Sequence, residues 1–252
     1  MGVPVNSLAS PRFCGVRTFQ RLPHSADCSG NDFAVLGVPF DTATSYRPGC
    51  RFGPAAIRDA SSILKSYHSV LDVDIFEHCQ GVDAGDVDII PGYLDESFER
   101  IEAAVAGVLD AGAVPVIMGG DHSITLPELR AVAKRHGPVA LLHFDARDDF
   151  FGKPYNHGTT FHWAIEEGLI LPEQSTQAGI RGPLYSRSSL DYAKGKGMRV
   201  ISGWELHDIG VDETIRIMRE RIRPGTPVFV TFDIDFLDAG HRYAGNRRLH
   251  HP

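Results

Sequence analysis

Long apolar runs are missing from this chain: no stretch approaches the ~20 residues that a membrane-spanning helix needs. The N-terminus, Met1-Gly-Val-Pro-Val-Asn, lacks a basic region followed by an apolar core, so it does not read as a secretory signal. Cysteine is scarce. Cys14, Cys28, Cys50 and Cys79 are the only four, none at C-x-x-C spacing, and they read as free thiols in a reducing, cytoplasmic compartment. Excess positive charge is absent too. The formal net charge is -7, which disfavours nucleic acid and membrane as partners and suits a small cationic substrate.

What is present is alternation. A length of 252 residues suits one large α/β domain or two small ones. Residues 1–31, rich in Pro, Ser, Gly and Arg, read as an irregular arm ahead of a domain over 32–238. Short runs rich in Val, Ile and Leu predict strands at Phe33–Val38, Val114–Met118, Val139–Phe144, Gln177–Ile180, Met198–Ile201 and Val228–Ile234. Their continuous apolar character predicts burial on both faces. Helical patterns fall between them at Leu94–Ala111, Leu126–His136, Thr160–Glu167 and Asp212–Arg221, most closed by a glycine. Such alternation implies a mostly parallel sheet with helices on both sides. Ligands of such sheets collect at the carboxyl ends of the strands.

Three polar motifs stand at those ends: Gly119-Gly-Asp-His-Ser123, Asp145-Ala-Arg-Asp-Asp149 and Asp233-Ile-Asp-Phe-Leu-Asp238. Carboxylates this close to apolar runs are costly unless something neutralises them. A divalent cation would do so; equally, the last strand could simply end at Asp233 with Asp233 and Asp235 solvated. The repeat of the same situation at Asp145 favours the cation. Residues two apart in a strand share a face, so Asp233 and Asp235 can point into one cleft. Gly119 and Gly120 could serve a turn needing positive φ or close backbone approach, with Asp121 a helix cap and His122 a bystander. His157, in Asn156-His-Gly-Thr159, is weak evidence when taken alone.

Together with Thr18-Phe-Gln-Arg-Leu-Pro23, the run from Gly37-Val-Pro-Phe to Ala-Ala-Ile-Arg58, Gly85-Asp86 and Gly179-Ile-Arg-Gly182, these segments resemble the arginase–agmatinase (ureohydrolase) family over about residues 17–238. The agmatinase branch, with guanidinobutyrase and proclavaminate amidinohydrolase, matches best. The resemblance implies a three-layer α/β/α, arginase-like fold. It implies two Mn2+ per chain, held by His122, Asp145, Asp149, Asp233 and Asp235. It implies hydrolysis of a linear guanidino compound with release of urea, as in polyamine metabolism, with His157 shuttling a proton. It also implies a homo-oligomer. No residue is assigned to substrate binding. A one-zinc, deacetylase-like relative is the rival, disfavoured by the Asp233/Asp235 pair.

Two departures qualify this. The family reads Asp-Ala-His-x-Asp where this chain has Arg147, and a guanidinium offers no lone pair to a cation. The metal site is therefore expected to be damaged, with Asp149 either the family's ligand or a neighbour in its place. The chain is expected to show little or no activity, and a non-catalytic or misfolded remnant is the alternative function. Second, residues 239–252 lack the family's continuation. Back-translated with GC-rich codons and read one nucleotide later, they give Pro-Gly-Thr-Gly-Thr-Pro-Gly-Thr-Gly-Gly-Phe-Thr-Thr-Arg, which resembles it. The expectation is an out-of-frame tail and truncation before a last strand, leaving flanking strands unpaired. Resequencing around codons 147 and 239 tests both departures.

Overall fold

A computed structural model describes residues 2–184 and 186–238. The expected out-of-frame tail, residues 239–252, lies outside the described residues. The described residues form two compact units, one ending at Arg135 and the other beginning at His136.

In the first unit, Phe33–Gly37 is strand β1, followed by helix α1 (Gly53–Ser61), a small antiparallel pair β2 (Tyr67–His68) and β3 (Val73–Asp74), and strand β4 (Gly81–Asp86). Helix α2 (Leu94–Asp110), strand β5 (Val114–Met118) and helix α3 (Thr125–His136) complete it. The sheet order is β4-β1-β5, all parallel. Helix α2 forms because Phe98, Ile101, Val105 and Val108 recur at helical spacing and all are buried. Asp95 and Glu96 favour its first turn, and Gly112 leaves it at φ +81, in the left-handed region.

Neither β4 nor α1 announces itself as an apolar run. Strand β4 reads Gly-Val-Asp-Ala-Gly-Asp, yet Asp83 within it is buried. Arg58 of α1 accounts for this, donating from Nε to Asp83 Oδ2 at 2.8 Å and from Nη2 to Oδ1 at 2.9 Å. Burial alone would raise the Asp83 carboxyl. Arg58 and the N–H groups of Phe19 and Gly85 outweigh it and hold the group below the usual carboxylate range.

The second unit contains β6 (Ala140–Phe144), α4 (Thr160–Glu166), β7 (Thr176–Ile180), α5 (Ser188–Gly195), β8 (Arg199–Ser202), α6 (Gly203–Arg221) and β9 (Val228–Phe232). Its sheet is parallel in the order β8-β7-β6-β9. Helix α6 starts earlier than its pattern suggests. It is interrupted at Gly210 (φ +80), and only the part beyond that break carries the expected span. Met218 packs from it onto Ala178 and Ile201 of the sheet. No helical pattern in the sequence predicts helix α5.

The chain is thus an α/β protein with parallel strands and packed helices. Burial on both faces is true of β7, whose five residues are all buried. It fails for β5 and β9. Each is the last strand of its sheet, and Val114, Val116, Val228, Val230 and Phe232 are exposed. Their side chains alternate, so one face of each strand is uncovered among the described residues. Among the described residues no disulfide joins the cysteines, and no helix is long and apolar enough to cross a membrane.

Candidate metal centre

Asp145 and Asp233 are neighbours because their strands are. In the parallel β6–β9 pair Phe144 lies opposite Phe232, so the next residue of each leaves the sheet beside the other. The Asp233 N–H donates to the Phe144 carbonyl at 2.9 Å, and the Asp145 N–H to that of Ala178 at 3.1 Å. Strand β9 then stops. Asp233 caps the short 3-10 turn Ile234–Phe236, its Oδ1 accepting from the Asp235 N–H at 2.8 Å. Asp235 Oδ1 accepts from the Ala146 N–H at 3.1 Å. One oxygen from each of Asp145, Asp233 and Asp235 lies within 4.8 Å of the others. The two C-terminal acids do converge on one place, but a capped turn brings them there, not the shared strand face that the sequence suggests.

Asp149 joins from the loop after β6. It is buried, at φ +52, a left-handed conformation that Asp tolerates better than most side chains. Asp149, Asp145 and His143 each offer a ligand atom within 4.8 Å of one another. His143 carries no sequence signal of its own, lying inside the apolar run of β6.

Charge decides what the cluster wants. Burial first, then repulsion from Asp233 and Asp145, pushes the Asp235 carboxyl up to about 7. Arg147 responds to the same field. Burial pulls its guanidinium down, but Asp149, Asp235, Asp145 and Asp233 outweigh burial and keep it firmly charged. Its Nε lies 3.9 Å from Asp235 Oδ2, with the side chain 45% exposed. Arg147 therefore does not turn its charge away from the acids.

A pH dependence follows for the metal-free protein. A carboxyl raised in the folded state contributes stability that is present below its unfolded pKa and lost as pH rises through the folded value. Between about pH 4 and 7, wild type should lose roughly 2 kcal/mol relative to Asp235→Asn, after discounting for solvent screening. Melting temperatures in EDTA across that range test it; parallel curves for the two proteins would refute it.

The Gly179-Ile-Arg-Gly182 segment props both acidic loops. Arg181 donates from Nη1 to the carbonyl of Phe236 at 3.1 Å, and from Nη2 to those of Asp235 and Leu237 at 2.6 and 3.1 Å. Gly179, at φ +98, has no room for a side chain: a Cβ would stand 2.4 Å from the Phe236 ring and 2.9 Å from the Asp145 carbonyl. The sequence marks this segment but not its work.

His157 sits in the turn 156–159 before α4, where Asn156 Oδ1 accepts from the Gly158 N–H at 2.9 Å. It is not one of the clustered residues. His122 belongs to the first unit and opens the turn His122–Ile124 after β5. Asp121 caps that turn, accepting from the Ser123 N–H at 2.9 Å, and also takes the Ala43 N–H at 3.1 Å. Gly120 serves close approach, not positive φ: a Cβ there would lie 1.8 Å from the Phe40 carbonyl oxygen. Nearby Glu128 is fully buried on α3. Burial, only partly offset by His122, pushes its carboxyl up to about 8. Nothing in the helical pattern predicts a buried acid there.

Crowded carboxylates past the carboxyl ends of parallel strands give this α/β protein a candidate cation site. Comparison with known proteins narrows the class. A family model described as the arginase family matches residues 31–244. The chain is 42% identical over 238 residues to proclavaminate amidinohydrolase of Streptomyces clavuligerus, covering 93% of this chain and 76% of that one. It is 40% identical over 240 residues to guanidinopropionase of Pseudomonas aeruginosa, covering 93% and 75%. A solved structure of the Streptomyces clavuligerus proclavaminate amidinohydrolase superposes with a TM-score of 0.86 at 41% identity, covering 92% of this chain and 78% of that one. The chain belongs to the arginase family, and these relatives are named hydrolases.

Proposed function

We propose that this chain is an amidinohydrolase for linear guanidino compounds, cleaving a C–N bond to release urea and leave an amine or amino acid. The observation that carries it is the meeting of Asp145, Asp233 and Asp235 within 4.8 Å, with Asp235 pushed up to about 7 by burial and by its acidic neighbours. Oxygen donors in that state suit a hard divalent cation, and Mn2+ is the ion the family resemblance implies. Asp145, Asp149, Asp233 and Asp235 would hold it, with His122 as the imidazole that the family pattern adds. When bound, such ions supply an activated water at neutral pH and stabilise charge developing at the guanidinium carbon.

The chain's own residues do the rest. The acidic cluster favours a cationic substrate. His157, by the same pattern, delivers a proton to the departing amine. Arg147 is the misfit, placing a fixed positive charge where a second cation would bind. That observation favours a second reading, a family member with a crippled centre and little turnover. Relatives differ in named substrate, so agmatine-type, guanidinobutyrate-type and proclavaminate-type activities all belong in the test. A cytoplasmic homo-oligomer is the accompanying proposal.

The experiment is Mn2+ content per purified chain, together with urea release from agmatine, 4-guanidinobutyrate and the guanidino precursor of proclavaminate. Mn2+ binding with turnover supports the first reading, and binding without turnover the second. A folded chain that holds no divalent cation would sink both.

A further inference from the structure

We propose that Gln177 and His143 form a tautomer lock that fixes how Asp145 is presented, making both of them positioning residues of the centre described above. The function of the lock rests on that metal-centre reading; the lock itself does not.

His143 and Gln177 are register partners on adjacent strands, β6 and β7, and both are fully buried, as is Asp145. Gln177 Nε2 lies 2.7 Å from the Asp148 carbonyl oxygen, with the Arg147 carbonyl oxygen at 3.4 Å. A carbonyl oxygen only accepts, so the amide nitrogen and not its oxygen must face these groups. The same nitrogen lies 2.9 Å from His143 Nδ1. With one amide hydrogen directed at Asp148, the other donates to Nδ1, which therefore carries no proton. The ring hydrogen stands on Nε2 and donates to Asp145 Oδ2 at 3.0 Å.

The other Asp145 oxygen, Oδ1, accepts from the Arg147 N–H at 2.7 Å. Each carboxylate oxygen thus has a fixed donor, and together the two set the plane of the group. Phe161 closes over the imidazole, with ring centroids 4.1 Å apart. Gln177 Oε1 is buried without a hydrogen-bond partner. An amide placed only to satisfy itself would not strand its acceptor, since such groups cost free energy when left unmade. The orientation serves the nitrogen. His143 also lies close enough to Asp145 and Asp149 to be mistaken for a ligand, but both ring nitrogens are already engaged.

The test uses the full chain, metal-free and labelled with 15N-histidine. Long-range 1H–15N spectra should show His143 as the Nε2–H tautomer. Gln177→Met, which keeps volume and removes the donor, should mix the tautomers and weaken Mn2+ binding by about 10–100-fold. His143→Gln, whose amide nitrogen can still donate to Asp145, should stay within a few-fold of wild type, and His143→Leu should not. An Nδ1–H ring in wild type overturns the lock. So does a Gln177→Met protein that melts like wild type and binds Mn2+ as tightly. If Gln177→Met does not fold, the wild-type tautomer and the two His143 variants still decide. If wild type binds no Mn2+, the metal-centre reading fails while the spectrum still decides the lock.

Discussion

Arg147→His is expected to let the chain hold two Mn2+ ions where wild type holds one at most, with the added ion bound at least 100-fold more tightly than wild type binds any second ion. Two effects combine. The guanidinium has no lone pair, whereas an imidazole can supply one. Its charge also stays in place, because Asp149, Asp235, Asp145 and Asp233 together hold it protonated and its Nε is 3.9 Å from Asp235. A unit positive charge about 5 Å from a divalent ion costs about 7 kcal/mol at an effective dielectric constant of about 20. The side chain is 45% exposed, so solvent screening reduces this to roughly 3 kcal/mol, or about 100-fold in affinity. Arg147→Leu separates the two causes, since it removes the charge without adding a ligand. It should recover part of the affinity but not the full complement of ions. Calorimetric titration and metal analysis after dialysis read both quantities. Two tightly bound ions in wild type, or no gain in the His variant, would show that Arg147 does not obstruct the centre.

Arg58→Leu should be the most damaging single change to stability in the first unit, at about 3–5 kcal/mol. Asp83 is 1% exposed on its side chain and Arg58 8%. Removing the guanidinium strands a buried carboxylate that is now held ionised by it. Asp86 adds little, because its side chain is 45% exposed. Against a typical folding margin of roughly 5–15 kcal/mol, the loss threatens the fold itself. Denaturant titration of the single variant, and of Arg58→Leu combined with Asp83→Asn, checks the cause. The double variant should regain much of the loss, since its buried amide carries no charge. Equal destabilisation in both would place the effect in packing.

Much of this was legible in the sequence, for physical reasons that can be named. Asp145 and Asp233 stand out because each follows an apolar run too costly to interrupt with an unneutralised charge. Strands β1, β5, β6, β7 and β9 show themselves through their apolar residues. Strand β4 does not, because its burial depends on Asp83 meeting Arg58, an ion pair between distant segments that no local pattern contains. Helix α6 hid its first half behind the break at Gly210. The meeting of Asp233 with Asp235 was foreseen for the wrong reason, as periodicity says nothing about a capped turn. His143 and Gln177 were invisible, because a polar residue inside an apolar strand declares its purpose only when its neighbour on the next strand is known. Exposure of Val228, Val230 and Phe232 was missed because an apolar run reveals hydrophobicity and not which strand stands last.

Gly179 has a consequence for how this protein tolerates change. In a scan of every substitution, one of the least forgiving rows should belong to a residue with no side-chain chemistry at all. Even alanine there would drive a methyl group into an aromatic ring on one side and a backbone oxygen on the other, and would do so in a conformation that penalises any methyl. A mutational map would then show a blank beside the acids themselves, and a geneticist seeking the reactive groups would find its scaffold first.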